Sequence, residues 1–146
     1  MGEFTFIDNL NLLIHEGGHG IFRIFGDFIY TLGGTLMQII IPSLCVWYAV
    51  SNKKKFLVQL FILWLGQNLM NISVYAADAR ERLLPLLGGN KVYHDWHWML
   101  SRLNILEYDD IIGLAFYLTG IGCFIISFLF PVLYKEYEKV DIELDL

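Results

Sequence analysis

The chain has 146 residues, 56% of them hydrophobic and 16% aromatic, with a mean hydropathy of +0.53. A water-soluble domain of this size has too little interior to hide so much apolar surface, so a lipid bilayer is the expected solvent. A formal charge of −5, a pI of about 5.2 and the lack of any basic stripe exclude nucleic acid as a partner.

The first apolar segment runs from Phe4 to about Phe25 and is interrupted by Asp8, Asn9, Asn11, Arg23 and His15-Glu16-Gly17-Gly18-His19. Met1-Gly2-Glu3-Phe4 lacks the positive region that opens a secretory signal, so this first helix is expected to be retained. Its polar residues are expected to face a bundle interior, because lipid does not accommodate them. The pattern H-E-x-x-H places His15 and His19 on one helical face, where both can reach a single metal ion, with Glu16 beside it to handle a proton of bound water. Two imidazoles and a carboxylate are the equipment of a zinc hydrolase. The bland alternative is a pair of histidines hydrogen-bonded to neighbouring helices, with Glu16 as their counter-ion.

Gly26 to Gly34 is short, β-leaning and bounded by glycines, which predicts a broken or re-entrant segment, permitted at membrane depth only where protein or a wet cavity covers it. Its Thr31–Thr35 region could hold an extended substrate strand by edge pairing. Thr35 to Val50 forms a second apolar segment carrying Gln38 and a kinking Pro42. Ser51-Asn52-Lys53-Lys54-Lys55 is a polar turn whose lysines are cytoplasmic by the positive-inside rule, which would put both termini in the cytoplasm.

Phe56 to Ala77 is long enough to span, and Asn68, Asn71, Tyr75 and Asp78 recur at three- and four-residue steps, with Gln67 just beside them. Such a face is either interhelical glue or the support of a metal cavity. In the polar stretch from Ala79 to Tyr108, Arg80–Leu87 suggests an amphipathic turn ending at Gly88-Gly89-Asn90. Asp95 is a good N-cap for a short helix from Trp96 to about Leu106, with Trp96 and Trp98 suited to a membrane interface. Ile111 to Tyr134 is a final, uncharged span, and 135–146 is a charged tail. Cys45 and Cys123 sit in apolar runs as free thiols.

A catalytic zinc takes three protein ligands and leaves one position open. Beyond His15 and His19, the candidates for the third are His94, preferred, with Asp78 next, then Asp95 and His97; the last two have plain alternative roles in helix capping and interface packing. His15-Glu16-Gly17-Gly18-His19-Gly20-Ile21-Phe22 resembles the H-E-x-G-H-x-x-F motif of the site-two-protease-type intramembrane metallopeptidases, and the segment ending in Gly33-Gly34 resembles the glycine-containing stretch after that family's first helix. The resemblance covers roughly the first forty residues and implies zinc bound by His15 and His19, with Glu16 activating water. The family's third ligand is an aspartate in an Asn/Asp-Pro-Asp-Gly-like motif; none is present here, and Asp78 is the nearest analogue.

The expectation is an all-α, multi-pass membrane protein of about four spans. A single transmembrane domain occupies 1–134, ahead of the charged tail, and the host is an inner or plasma membrane. It would be a zinc-dependent metallopeptidase cutting chains in or near the bilayer. Its rivals are a non-catalytic metal-binding subunit of a larger membrane complex and, less favoured by the few histidines, a di-iron protein.

Overall fold

The computed structural model describes residues 6–84 and 93–133. The N-terminal Met1-Gly2-Glu3-Phe4, the Gly88-Gly89-Asn90 end of the expected amphipathic turn and the charged tail lie outside the described residues. Those described are mostly helical, the rest turn or irregular, with no strand among them. Five helices follow in order: α1 (Phe6–Phe22), α2 (Asp27–Ser51), α3 (Lys55–Ala77), α4 (Asp95–Arg102) and α5 (Asp109–Leu133).

Three segments are long and apolar enough to cross a membrane: Asp27–Ser51, Lys55–Ala77 and Leu106–Val132. At 1.5 Å per residue the first two reach about 37 and 34 Å, against roughly 30 Å of hydrocarbon. The 17 residues of α1 rise only about 26 Å and carry the polar residues of the histidine motif.

Long helices pack largely in chain order, α1 on α2, α2 on α3 and α3 on α5. Small residues set the crossings. A Cβ on Gly18 would overlap the Gly33 carbonyl, and one on Gly33 would lie 2.8 Å from the Gly18 carbonyl oxygen, so α1 and α2 meet backbone to backbone. Between α3 and α5, a Cβ on Gly120 would lie 3.1 Å from the Gly66 carbonyl oxygen, and one on Gly66 would press on the Phe124 ring at 2.9 Å.

This crossing explains why residues 26–34 depart from the expected broken or re-entrant segment. Irregular backbone shrinks to a 3-10 turn at Arg23–Phe25 and to Gly26, whose φ of 88° belongs to the left-handed region. From Asp27 the chain is helix, and Gly33 and Gly34 serve contact rather than chain reversal. Thr31–Thr35 therefore offers no strand edge to a substrate.

Between α1 and α3 runs a chain of polar contacts. Trp64 Nε1 donates to Asn11 Oδ1 at 2.9 Å, Asn11 donates to Gln67, Gln67 Nε2 donates to Asp8 Oδ1 at 2.9 Å, and Asn71 Nδ2 donates to the same oxygen at 3.2 Å. Asn11 is buried as expected, whereas Asn9, Glu16 and Arg23 are exposed, because α1 is covered along one side only.

At the C-terminal end of α3, Ile72, Ala76 and the following Ala79 form a core with Trp96, Met99 and Leu100 of α4. Trp96 is thus an interior residue set edge-on to Phe116, not an interfacial one, while Trp98 packs near Phe28. Arg80 ties the end of α3 to the start of α5: its Nε lies 2.6 Å from the fully buried carboxylate of Asp109, and its guanidinium also pairs with Asp110.

Candidate metal centre

His15 and His19 lie one turn apart on α1 and face inward, both buried. The Gly18–Gly33 crossing brings α2 so close that Gly34 passes over the His15 ring, where a Cβ would sit 2.5 Å from Cε1 and Nε2. Asp95 arrives from the other side, at the first turn of α4. Its Oδ2 stands 3.0 Å from His15 Nε2 and 3.2 Å from His19 Nε2. Among the described residues this is the one His/Cys/Asp/Glu group able to hold a metal ion, with all ligand atoms within 4.8 Å of one another.

The other ring nitrogens are already engaged. His19 Nδ1 lies 2.8 Å from the backbone carbonyl oxygen of Tyr30, which can only accept, so Nδ1 carries the hydrogen. His15 Nδ1 is 3.0 Å from Gln38 Oε1. In the neutral rings this leaves the Nε2 lone pairs aimed at a carboxylate oxygen, an arrangement that repels unless a cation stands among the three atoms. Either a proton or a metal ion meets that requirement. Donors around a tetrahedral zinc at 2.0–2.2 Å are roughly 3.4 Å apart, close to the two separations found. Engagement of the far imidazole nitrogen by a carbonyl or amide oxygen is also the usual way ligating histidines are oriented. The residues present therefore fit zinc.

Burial works against charge on Asp95, but the hydrogen bonds with His15 and His19 outweigh it and hold the carboxyl below its usual range. The group is thus set to be an anion, as a ligand must be.

The expected third ligand, His94, does not join the trio. Its Nε2 turns to Asp78 Oδ2 at 3.3 Å and its Nδ1 accepts the His97 amide at 3.2 Å, so His94 is the N-cap of α4. Asp95, expected as the cap, is instead the first helical residue and points into the site. The two neighbours exchange roles through a one-residue shift of the helix start. Burial pushes the His94 imidazole below its ordinary value, against the pull of Asp78, which suits a neutral ring that donates at one nitrogen and accepts at the other. Asp78, the second candidate, accepts from the amides of Leu83 at 2.8 Å and Leu84 at 3.1 Å and so folds the loop after α3. His97 bonds the Ala79 carbonyl through Nδ1 at 2.8 Å.

The polar face of α3 divides in two. Gln67 and Asn71 bind α1 side chains, while Tyr75 and Asp78 support the centre. The Tyr75 hydroxyl accepts the Asp95 amide at 3.1 Å, and its ring stacks on His94 and meets His15 edge-on, with centroids at 4.3 and 5.9 Å. Glu16 is exposed next to His15 and close enough to act electrostatically on His19 and Tyr75. No family model, curated protein or solved structure matches the chain.

Gln38, Gly34 and Tyr30 carried little warning in the sequence. Gln38 alone had a signal, as an amide within an apolar span. The part played by the Tyr30 carbonyl is a backbone property that no side-chain pattern discloses.

Proposed function

We propose that the chain is an integral membrane zinc metallopeptidase of the H-E-x-x-H type, with His15, His19 and Asp95 as ligands and Glu16 as general base. The observation that supports it best is the convergence of two oriented imidazole nitrogens on one carboxylate oxygen, at 3.0 and 3.2 Å, beside the glutamate of the motif. In this reading α1 lies within the bilayer as a fourth membrane-embedded segment, the lysine turn and both termini are cytoplasmic, and the host is an inner or plasma membrane.

When bound, zinc supplies Lewis acidity that makes water a nucleophile near neutral pH and polarises a peptide carbonyl. Gln38 and the Tyr30 carbonyl hold the two rings, Tyr75 holds the Asp95 amide, and His94 caps the helix that carries Asp95. Glu16 takes a proton from the attacking water and delivers it to the departing amine. The polar seam of Asp8, Asn11, Gln67 and Asn71 anchors α1, which carries the motif, against α3. Substrates would be peptide segments in or beside the membrane, reaching the open Glu16 side of α1.

The test compares wild type with Glu16→Gln in proteoliposomes containing a quenched-fluorescence transmembrane peptide, with zinc measured by elemental analysis. Both proteins should hold one zinc per chain, and the variant should cleave about a thousandfold more slowly, as expected for loss of a general acid–base group. Zinc-free wild type, or a variant that cleaves at the wild-type rate, overturns the reading.

A further inference from the structure

Two tyrosine side chains touch the candidate ligand set, Tyr30 on His19 and Tyr75 on His15, and the Tyr75 hydroxyl is the one bonded to a candidate ligand residue. Its oxygen accepts the amide of Asp95 at 3.1 Å, while the ring is fixed between His15 and His94. A phenol has one proton to give, and an amide cannot take it. The Asp95 carboxylate is a second hydrogen-bond partner of this hydroxyl, and Glu16 acts on it electrostatically. Once Asp95 commits to a cation its carboxylate is a poorer acceptor, and the Tyr75 proton can turn to an oxygen that enters the site.

We propose that Tyr75 is a catalytic residue that donates a hydrogen bond to the scissile carbonyl oxygen as negative charge develops on it. This inference rests on the hydrolase reading above. No bond is made or broken at Tyr75; the proton stays on the phenol, and the aromatic packing orients the donor in advance, where such a donor is most effective. The adjoining contact with the Asp95 amide gives a rival role, that of positioning the third ligand, and the two roles are separable.

The experiment uses the full-length chain in detergent, loaded with cobalt(II) and titrated with acetohydroxamate, whose oxyanion stands in for the charged carbonyl oxygen. Cobalt affinity and hydroxamate affinity are read separately from visible absorption. For Tyr75→Phe, cobalt affinity should stay within about twofold of wild type, while hydroxamate binding weakens roughly 10- to 100-fold, the value of one hydrogen bond to a charged group. Hydroxamate bound equally by both proteins overturns the assignment and leaves the hydrolase reading standing. Loss of cobalt by the variant, with hydroxamate affinity per bound metal unchanged, makes Tyr75 a positioning residue and overturns the catalytic role. Wild type that binds no cobalt overturns both. Where cleavage is measurable, kcat should fall about 100- to 1000-fold with KM unchanged.

Discussion

His15 is held by what surrounds it rather than by its own helix. Gln38 fixes one nitrogen, Tyr75 meets the ring edge, and Gly34 leaves the space the ring occupies. A methyl group at Gly34 would stand 2.5 Å from the ring atoms, and the ring, being the far end of a flexible side chain, would swing away. The fold loses little by that movement, but Nε2 leaves Asp95. Gly34→Ala should therefore cut zinc affinity at least tenfold with circular dichroism unchanged, whereas Gly17→Ala, where a Cβ meets nothing within 4 Å, should leave it as it was. The Asp95/His94 distinction is tested at the same scale. If Asp95 is the third ligand, Asp95→Ala should abolish stoichiometric zinc. His94→Ala removes only a support and should weaken zinc 10- to 100-fold, the usual effect of an outer partner. Equal losses would mean that the two residues share the ligand role.

At the scale of elements, the crossing of α1 and α2 governs both fold and site. Gly18 and Gly33 allow backbone contact there, and no rotamer change can relieve a methyl group placed against a carbonyl. Gly18→Ala should force the helices apart, lower stability by about 3 kcal/mol in detergent unfolding, and release zinc as His15 and His19 move with α1. Gly20→Ala, with nothing within 4 Å, should do neither and serves as the control. Much of this level was legible in the sequence. The i, i+4 histidines, the long apolar segments and the polar stripe on α3 are periodic features, and periodicity survives folding. The path of residues 26–34 was not legible, since glycines that permit a turn and glycines that permit close packing are the same residues. Nor was the start of α4, because aspartate is the stronger intrinsic cap, whereas in the fold His94, bonded to Asp78, caps the helix one residue earlier.

At the scale of the whole molecule, the centre closes a long loop. His15 and Asp95 are 80 positions apart, and the intervening chain includes α2, α3 and the turn folded by Asp78. A cation there links the N-terminal helix to the short α4, whose Trp96, Met99 and Leu100 belong to the core. A ligand that binds only the folded chain stabilises it by RT ln(1 + [L]/Kd), about 2.7 kcal/mol at a hundred times Kd. Dialysis against a chelator should therefore lower the thermal midpoint, and added zinc should restore it in a concentration-dependent way. Asp95→Ala should start at the lower midpoint and respond to neither treatment. Gly34→Ala should respond only at higher zinc, which distinguishes a weakened centre from an absent one. If the midpoints of wild type and Asp95→Ala coincide with zinc and with chelator, the loop is closed by proton-mediated contacts alone, and His15, His19 and Asp95 form a structural hydrogen-bond cluster.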